Sequence, residues 1–205
     1  MEARVKAVLA DYERRAAEEA EVMAALSPDE LAKRIDDFLL PVGPDTGAVL
    51  HVLATGMKAR TIVELGTSYG YSTVWFADAA RANGGRVHAL ELSEKKVAYA
   101  REQLHRAGLG AYVEFHIGSA LDTLPTLNGP FDFVLVDLWK DLYTRCLELI
   151  HPKLARGALV AADNMLNPPS ARAHAEAYQK LVRAKGDLDS VLLPIGSGVE
   201  LSRKR

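Results

Sequence analysis

One cysteine, Cys146, stands in the 205 residues, which excludes an internal disulfide; it falls on the apolar side of an expected helix and reads as a core residue. No apolar run is long enough to cross a bilayer, and the first residues mix both charges. Neither a signal peptide nor a membrane partner is therefore expected, and a cytoplasmic location is the default. Neither sign of charge dominates: the net charge of −2 makes nucleic acid an unlikely partner, although Arg203-Lys204-Arg205 is locally basic. The G-x-G-x-x-G of dinucleotide sites, the G-x-x-x-x-G-K-S/T of phosphate loops and the H-E-x-x-H of zinc helices are all missing. His51, His88, His105, His116, His151 and His174 are scattered and form no zinc pattern. There is no repeat, low-complexity tract or linker. What remains is an ordinary globular composition, 49% apolar and 25% charged, long enough for one substantial core.

The stretch TIVELGTSYGYS, Thr61–Ser72, organises the chain. Thr61, Ile62 and Val63 are β-branched and suit a buried strand. The chain then breaks at Gly66 to Gly70 and resumes in the apolar Val74-Trp75-Phe76-Ala77. Strand, glycine turn and helix make the first crossover of a doubly wound sheet, whose ligands bind beyond the carboxyl ends of the strands. Glu64 at the strand end would repel a pyrophosphate and welcome a cationic amine, which points to S-adenosylmethionine rather than a nucleotide. Glu91 closes the second strand, 27 residues later, where a carboxylate accepts from both ribose hydroxyls.

The rest of the chain reads as alternating elements. An amphipathic helix over residues 2–25 places Val5, Val8, Leu9, Tyr12, Ala16 and Met23 at helical spacing. Ser27-Pro28-Asp29-Glu30 has the form of a capping box ahead of a short helix carrying Leu31, Ile35, Phe38 and Leu39 inward, and Asp45 is a candidate cap for the helix bearing Val49, Leu50, Val52 and Leu53. Strands are expected at 86–91, 112–117, 131–136 and 158–162, with a terminal hairpin-like pair at 191–195 and 199–203. Helices are expected from Ser93 to about Gly108, from Lys140 to Ile150 and from Ser170 to Lys185, the last closed by Gly186. The pattern predicts an α/β, Rossmann-like, doubly wound sheet of seven mostly parallel strands with an antiparallel C-terminal strand and helices on both faces. A single domain over 1–205 is expected, with N-terminal helices (1–40) on the substrate side of a core (41–205).

Polar residues gather at the later strand ends. Asp137 follows Val134-Leu135-Val136, and Asp163-Asn164 follows Leu159-Val160-Ala161-Ala162. Two carboxylates and an amide oxygen are hard donors that suit Mg²⁺ or another divalent cation such as Mn²⁺ or Ca²⁺. Each acid alone is better read as a helix cap; the presence of Lys140 three residues past Asp137 favours the metal. A lysine at a helix start, beside a dication, is poised to be neutral and to act as a general base. Trp139 is either core or a stacking surface for an aromatic ring.

The strings VELGTSYGYST, HALELS, FDFVLVDLWKDLY and VAADNMLNP resemble the metal-dependent, catechol-type O-methyltransferases. The V-D-x-W-K-D-x-Y string is closer to the catechol branch than to the caffeoyl-coenzyme A branch, which usually has Asp where Trp139 stands. The resemblance implies an S-adenosylmethionine- and Mg²⁺-dependent O-methyltransferase acting on a small aromatic diol, with Asp137, Asp163 and Asn164 as metal ligands and Lys140 as the base. Around the cofactor it implies Val42, Glu64, Gly66, Ser68, Tyr71, Ser72, Glu91, Leu92, Ser119, Ala120, Asp137 and Trp139. Phe38, Leu40, Trp139, Lys140, Asn164 and Pro168 would surround the substrate. The chain departs from that pattern at Leu138, where the catechol enzymes have histidine, and at Ala120-Leu121, where relatives place a Ser-Gln pair by the adenine. The acid that orients a second hydroxyl has no match, and Asp187 and Asp189 are the candidates. Alternatives are an acceptor such as a tRNA base or caffeoyl-type ester, a non-catalytic cofactor-binding module and, last, an NAD-linked oxidoreductase. Monomer and homodimer fit equally.

Overall fold

The computed structural model describes residues 1–205. Seven strands, β1 (Thr61–Leu65), β2 (Arg86–Glu91), β3 (Val113–Ile117), β4 (Phe131–Val136), β5 (Leu154–Ala162), β6 (Leu188–Leu193) and β7 (Val199–Lys204), form one sheet ordered β3-β2-β1-β4-β5-β7-β6. Neighbours from β3 to β5 pair in parallel, whereas β7 runs antiparallel to β5 and β6 on either side. This is the expected architecture. Ile62, Val63 and Leu65 of β1 and Phe133 to Val136 of β4 are all essentially inaccessible to solvent. Successive side chains point to opposite faces, so strands apolar on both sides require helices on both.

The helices are α1 (Ala3–Ala24), α2 (Pro28–Arg34), α3 (Pro44–Gly56), α4 (Tyr71–Asn83), α5 (Glu94–Ala107), α6 (Ala120–Thr123), α7 (Tyr143–Ile150) and α8 (Arg172–Ala184). One core layer joins Ile62, Phe133 and Leu135 to Leu50, Phe76, Leu104 and the buried stripe of α1, Val5, Val8, Leu9 and Tyr12. The other joins Val63, Val134 and Val136 to Tyr143, Cys146, Leu147 and Tyr178. Each such aliphatic or aromatic side chain contributes about 1.5–3 kcal/mol on burial, which holds both helical layers to the sheet. No helix is long and apolar enough to cross a membrane.

Local differences from the sequence reading have identifiable causes. The Ser27–Glu30 capping box forms, but α2 itself buries no residue; Phe38 and Leu39 are buried beyond it. Gly43, at φ 85°, takes the cap position of α3 with Pro44 in its first turn, so Asp45 lies inside the helix. The inner face of α3 is Thr46, Gly47, Leu50 and Ala54, and Val52 is 66% exposed. Small residues replace the expected aliphatic face because the indole of Trp75 packs on Gly47, where an added Cβ would lie 2.4 Å from its Nε1. Tyr112 belongs to a 3-10 turn ahead of β3, β5 begins four residues early at Leu154, and α8 ends in an extended Lys185 rather than a left-handed Gly186. At the carboxyl ends, the strand order reverses between β1 and β4, which opens the crevice where doubly wound folds bind ligands.

Candidate active site

The crevice is built from backbone ties between strand ends. The amides of Gly66 and Thr67 donate to Leu90 O at 3.0 and 3.1 Å, Asp137 N donates to Leu65 O at 2.9 Å, and Asp163 N to Val136 O at 3.1 Å. Gly66 has φ +91°, and a Cβ there would sit 2.3 Å from the Asp137 carbonyl oxygen, so only glycine lets the two turns meet. The resulting cleft is lined by Leu39 to Val42, Gly66 to Ser72 and Asp137. Four non-glycine residues have positive φ, and three of them, Leu40 (45°), Ser68 (49°) and Asn164 (59°), lie in or beside this region. Backbone strain of this kind collects at functional sites.

Glu64 lies fully buried beneath the turn. Its Oε2 accepts from Thr67 Oγ1 at 2.9 Å and Thr73 Oγ1 at 2.6 Å, while Oε1 has no partner. Burial pushes its pKa up. An unpaired buried carboxylate oxygen is costly, and a cationic N–H donor entering the cleft would relieve it. Glu91 accepts the amides of Ser68 at 2.7 Å and Ser93 at 2.9 Å, one on each oxygen, and keeps lone pairs for hydroxyl donors.

Beyond Asp137 the chain makes a 3-10 turn over Lys140–Leu142 before α7, so the helix starts three residues later than expected. The turn folds Lys140 back over the strand ends. Its Nζ donates to Asn164 Oδ1 at 2.6 Å, Tyr143 Oη at 2.7 Å and Leu138 O at 3.3 Å, and stands 3.6 Å from Asp137 Oδ1. Tyr143 in turn donates to Asp163 O at 3.3 Å. Asp163 is 1% exposed and its Oδ1 has no partner. Burial, followed by the neighbouring Asp163 charge, pushes Asp137 well up, and burial pushes Asp163 up to about 6. Two carboxylates that resist being charged side by side, one with an orphaned oxygen, beside an amide oxygen, form a donor set that fits a hard divalent cation.

Of the expected cofactor set, Val42, Gly66, Ser68, Tyr71, Ser72 and Asp137 line the cleft, with Glu64 beneath it and Glu91 holding its turn. Leu92 is 72% exposed, and Ser119 precedes α6 with its side chain outside any cap hydrogen bond and Ala120 as that helix's first residue. Of the expected substrate set, Leu40 lines the cleft and Lys140 and Asn164 meet each other. Phe38 is 4% exposed under the Arg34 guanidinium, and Pro168 stands on the surface. Trp139 is 57% exposed, which removes the core alternative for it. Asp187 and Asp189 lie at the start of β6, the opposite edge of the sheet from the cleft, so neither can orient a substrate there.

The sequence reading missed the supports. Tyr12 of α1 donates to Tyr69 O at 2.6 Å, Tyr71 Oη donates to Glu13 at 3.0 Å, and Glu19 accepts the Leu39 amide at 2.6 Å. The N-terminal helix therefore fastens both walls of the cleft. A buried phenol needs a partner, which was the available signal for Tyr12. Thr67, Thr73 and Tyr143 carry no signal beyond their place in the motifs.

A methyltransferase-domain family profile matches residues 63–165, which span the glycine turn, Glu91 and the Asp137–Asn164 group. The chain belongs to the class I S-adenosylmethionine-dependent O-methyltransferase family. A catechol O-methyltransferase of Niastella koreensis is 39% identical over 131 residues, 62% of this chain and 59% of that one, so the chain spans about three-fifths of the length of such relatives. Among solved structures, an O-methyltransferase from Streptomyces achromogenes in complex with SAM superposes with a TM-score of 0.76 at 28% identity, covering 94% of this chain and 97% of the other. An O-methyltransferase from Bacillus cereus in complex with SAH gives 0.75 at 28% identity, covering 95% and 100%. These O-methyltransferase folds share the sheet whose carboxyl edge forms the cleft.

Proposed function

We infer that the protein transfers a methyl group from S-adenosylmethionine to a hydroxyl of a catechol or related vicinal dihydroxy aromatic, with the help of Mg²⁺. The observation that carries this reading is the meeting of Lys140 with Asn164 at 2.6 Å and, at 3.6 Å, with Asp137, which lines the cleft. Named relatives act on catechol, and others on caffeoyl-CoA, which supports a diol acceptor.

When bound, S-adenosylmethionine is the methyl donor and a divalent cation makes an adjacent phenol easier to ionise. Asp137, Asp163 and Asn164 would hold the cation. Glu64 Oε1 would accept from the amine of the donor, and Glu91 from its ribose. The neutral amine of Lys140, having released its hydrogen bond to Asn164 Oδ1, would take the phenolic proton on its lone pair and become the ammonium, while its two N–H groups donate to Tyr143 Oη and the Leu138 carbonyl and keep it in place. The Leu39–Val42 wall excludes water from the reacting centre, where opposite charges neutralise, and fixed positioning supplies much of the rate.

The test is methyl transfer to 3,4-dihydroxybenzoate and simpler catechols, with Mg²⁺ and with excess chelator. Chelator-sensitive methylation is expected. Full activity in chelator would sink the metal role. Intact cofactor binding by calorimetry without transfer to any diol would leave the donor site standing and send the search to other hydroxylated acceptors.

A further inference from the structure

Two of the scattered histidines meet in the fold. His88 on β2 pairs in register with Glu114 on β3, and Leu90 pairs with His116, so His88, Glu114 and His116 project from one face of the sheet. His88 Nδ1 lies 3.1 Å from His116 Nε2. The Glu114 carboxylate faces both rings, Oε2 at 3.8 Å from His88 and Oε1 at 3.7 Å from His116. Each residue places a donor atom within 4.8 Å of the others.

We propose that His88, Glu114 and His116 form a binding site for a late first-row divalent cation, zinc being the probe of choice, separate from the carboxylate–amide group at the strand ends. Imidazole nitrogens suit zinc, nickel and copper, whereas magnesium, calcium and manganese prefer all-oxygen donors, so the two sites sort cations by chemistry. At a zinc–nitrogen distance of about 2.0–2.1 Å, two imidazoles on one ion stand about 2.9 Å apart at a right angle and about 3.3 Å apart at a tetrahedral angle. The His88–His116 separation of 3.1 Å falls between. The Glu114 side chain is 47% exposed and free to swing closer; its other neighbour, Arg86, is 3.8 Å away and largely in solvent, a pairing worth little. The histidine side chains are about one-fifth exposed, which leaves the ion a way in.

The ion would clamp the edge strand β3 to β2. His88 lies three residues before Glu91, about 10 Å along the strand at roughly 3.3 Å per residue, so the site stands clear of the cleft. Just past β3, Gly118 N donates to Glu91 O at 2.9 Å, which links a tighter β2–β3 pair to the backbone that carries Glu91.

The experiment titrates the full chain with zinc chloride in excess Mg²⁺, by calorimetry and thermal unfolding, and repeats the titration with Co²⁺ to read its ligand-field bands. One zinc per chain with a raised Tm and a nitrogen-ligated cobalt spectrum is expected. A residue one step removed from a metal is worth about 10–100-fold in affinity, so His116→Ala should weaken zinc binding at least tenfold and Glu114→Gln by less. Methyl transfer without zinc should stay as in the parent for both. If His116→Ala fails to fold, His116→Gln at the same edge-strand position asks the same question. No zinc binding by the parent, or parental zinc affinity in the His116 variant, would overturn the site.

Discussion

Lys140 Nζ lies 2.6 Å from Asn164 Oδ1, although 24 residues separate them, and this side-chain contact bridges the segments that follow β4 and β5 across the candidate site. The lysine is thereby aimed at the donor group rather than at solvent, as a proton acceptor for a diol would require. Lys140→Ala is expected to lower kcat by about 10²–10⁴ while SAH affinity, measured by calorimetry, stays within a factor of about two. Lys140→Arg should not rescue, because a guanidinium remains charged. An unchanged kcat in the alanine variant would remove Lys140 from the base role.

Gly66 supports both halves of the site at once. Any side chain there meets the Asp137 carbonyl at 2.3 Å and must also hold φ +91°. Left-handed backbone alone costs a non-glycine residue about 1–2 kcal/mol, before the clash. Gly66→Ala should weaken SAH binding, lower methyl transfer and reduce stability in denaturant titrations. A variant with parental SAH affinity would show that the turn can open without harm, contrary to the close approach seen.

What was legible in the sequence is what local chemistry dictates. β-Branched strands, the glycine turn and acids just past apolar runs defined the sheet, its switch point and the Asp137, Asp163 and Asn164 group. Contacts made by tertiary placement were not legible. The His88–His116 pair depends on the β2–β3 register, which no spacing within either strand reveals. Likewise α1 read as a generic amphipathic helix, because the apolar period that buries Tyr12 does not say what its hydroxyl will meet. Asp187 and Asp189 were plausible as acids and failed on geometry, since β6 runs parallel to β5 and presents its first residues at the wrong edge.

The Tyr12–Tyr69 bond gives α1 a measurable part in the cleft. Tyr12→Phe removes the donor and leaves the Tyr69 carbonyl without that 2.6 Å partner, a loss of about 1–3 kcal/mol for a buried acceptor. In a chain of this size each kcal/mol lowers Tm by about 2–4 °C. SAH should also bind more weakly, because Tyr69 belongs to the turn that lines the cleft. A lowered Tm with undiminished SAH affinity would make α1 a stabilising element only.

The far edge of the sheet carries a pH-dependent clasp. Asp187 is hydrogen-bonded by Lys204 and by His151 at 2.7 Å, and these partners, Lys204 first, hold its pKa down to about 2 from an ordinary 3.8. A carboxyl group with a depressed folded-state pKa binds fewer protons when native, so its contribution is present above about pH 4 and is lost as pH falls towards 2. Asp187→Asn should therefore unfold more readily than the parent near neutral pH, and the two curves should converge on acidification. Because the group is open to solvent, the difference should shrink in 1 M salt, where screening acts over about 3 Å. Parallel stability–pH profiles for the two proteins would mean that the Lys204–Asp187–His151 cluster contributes nothing to folding.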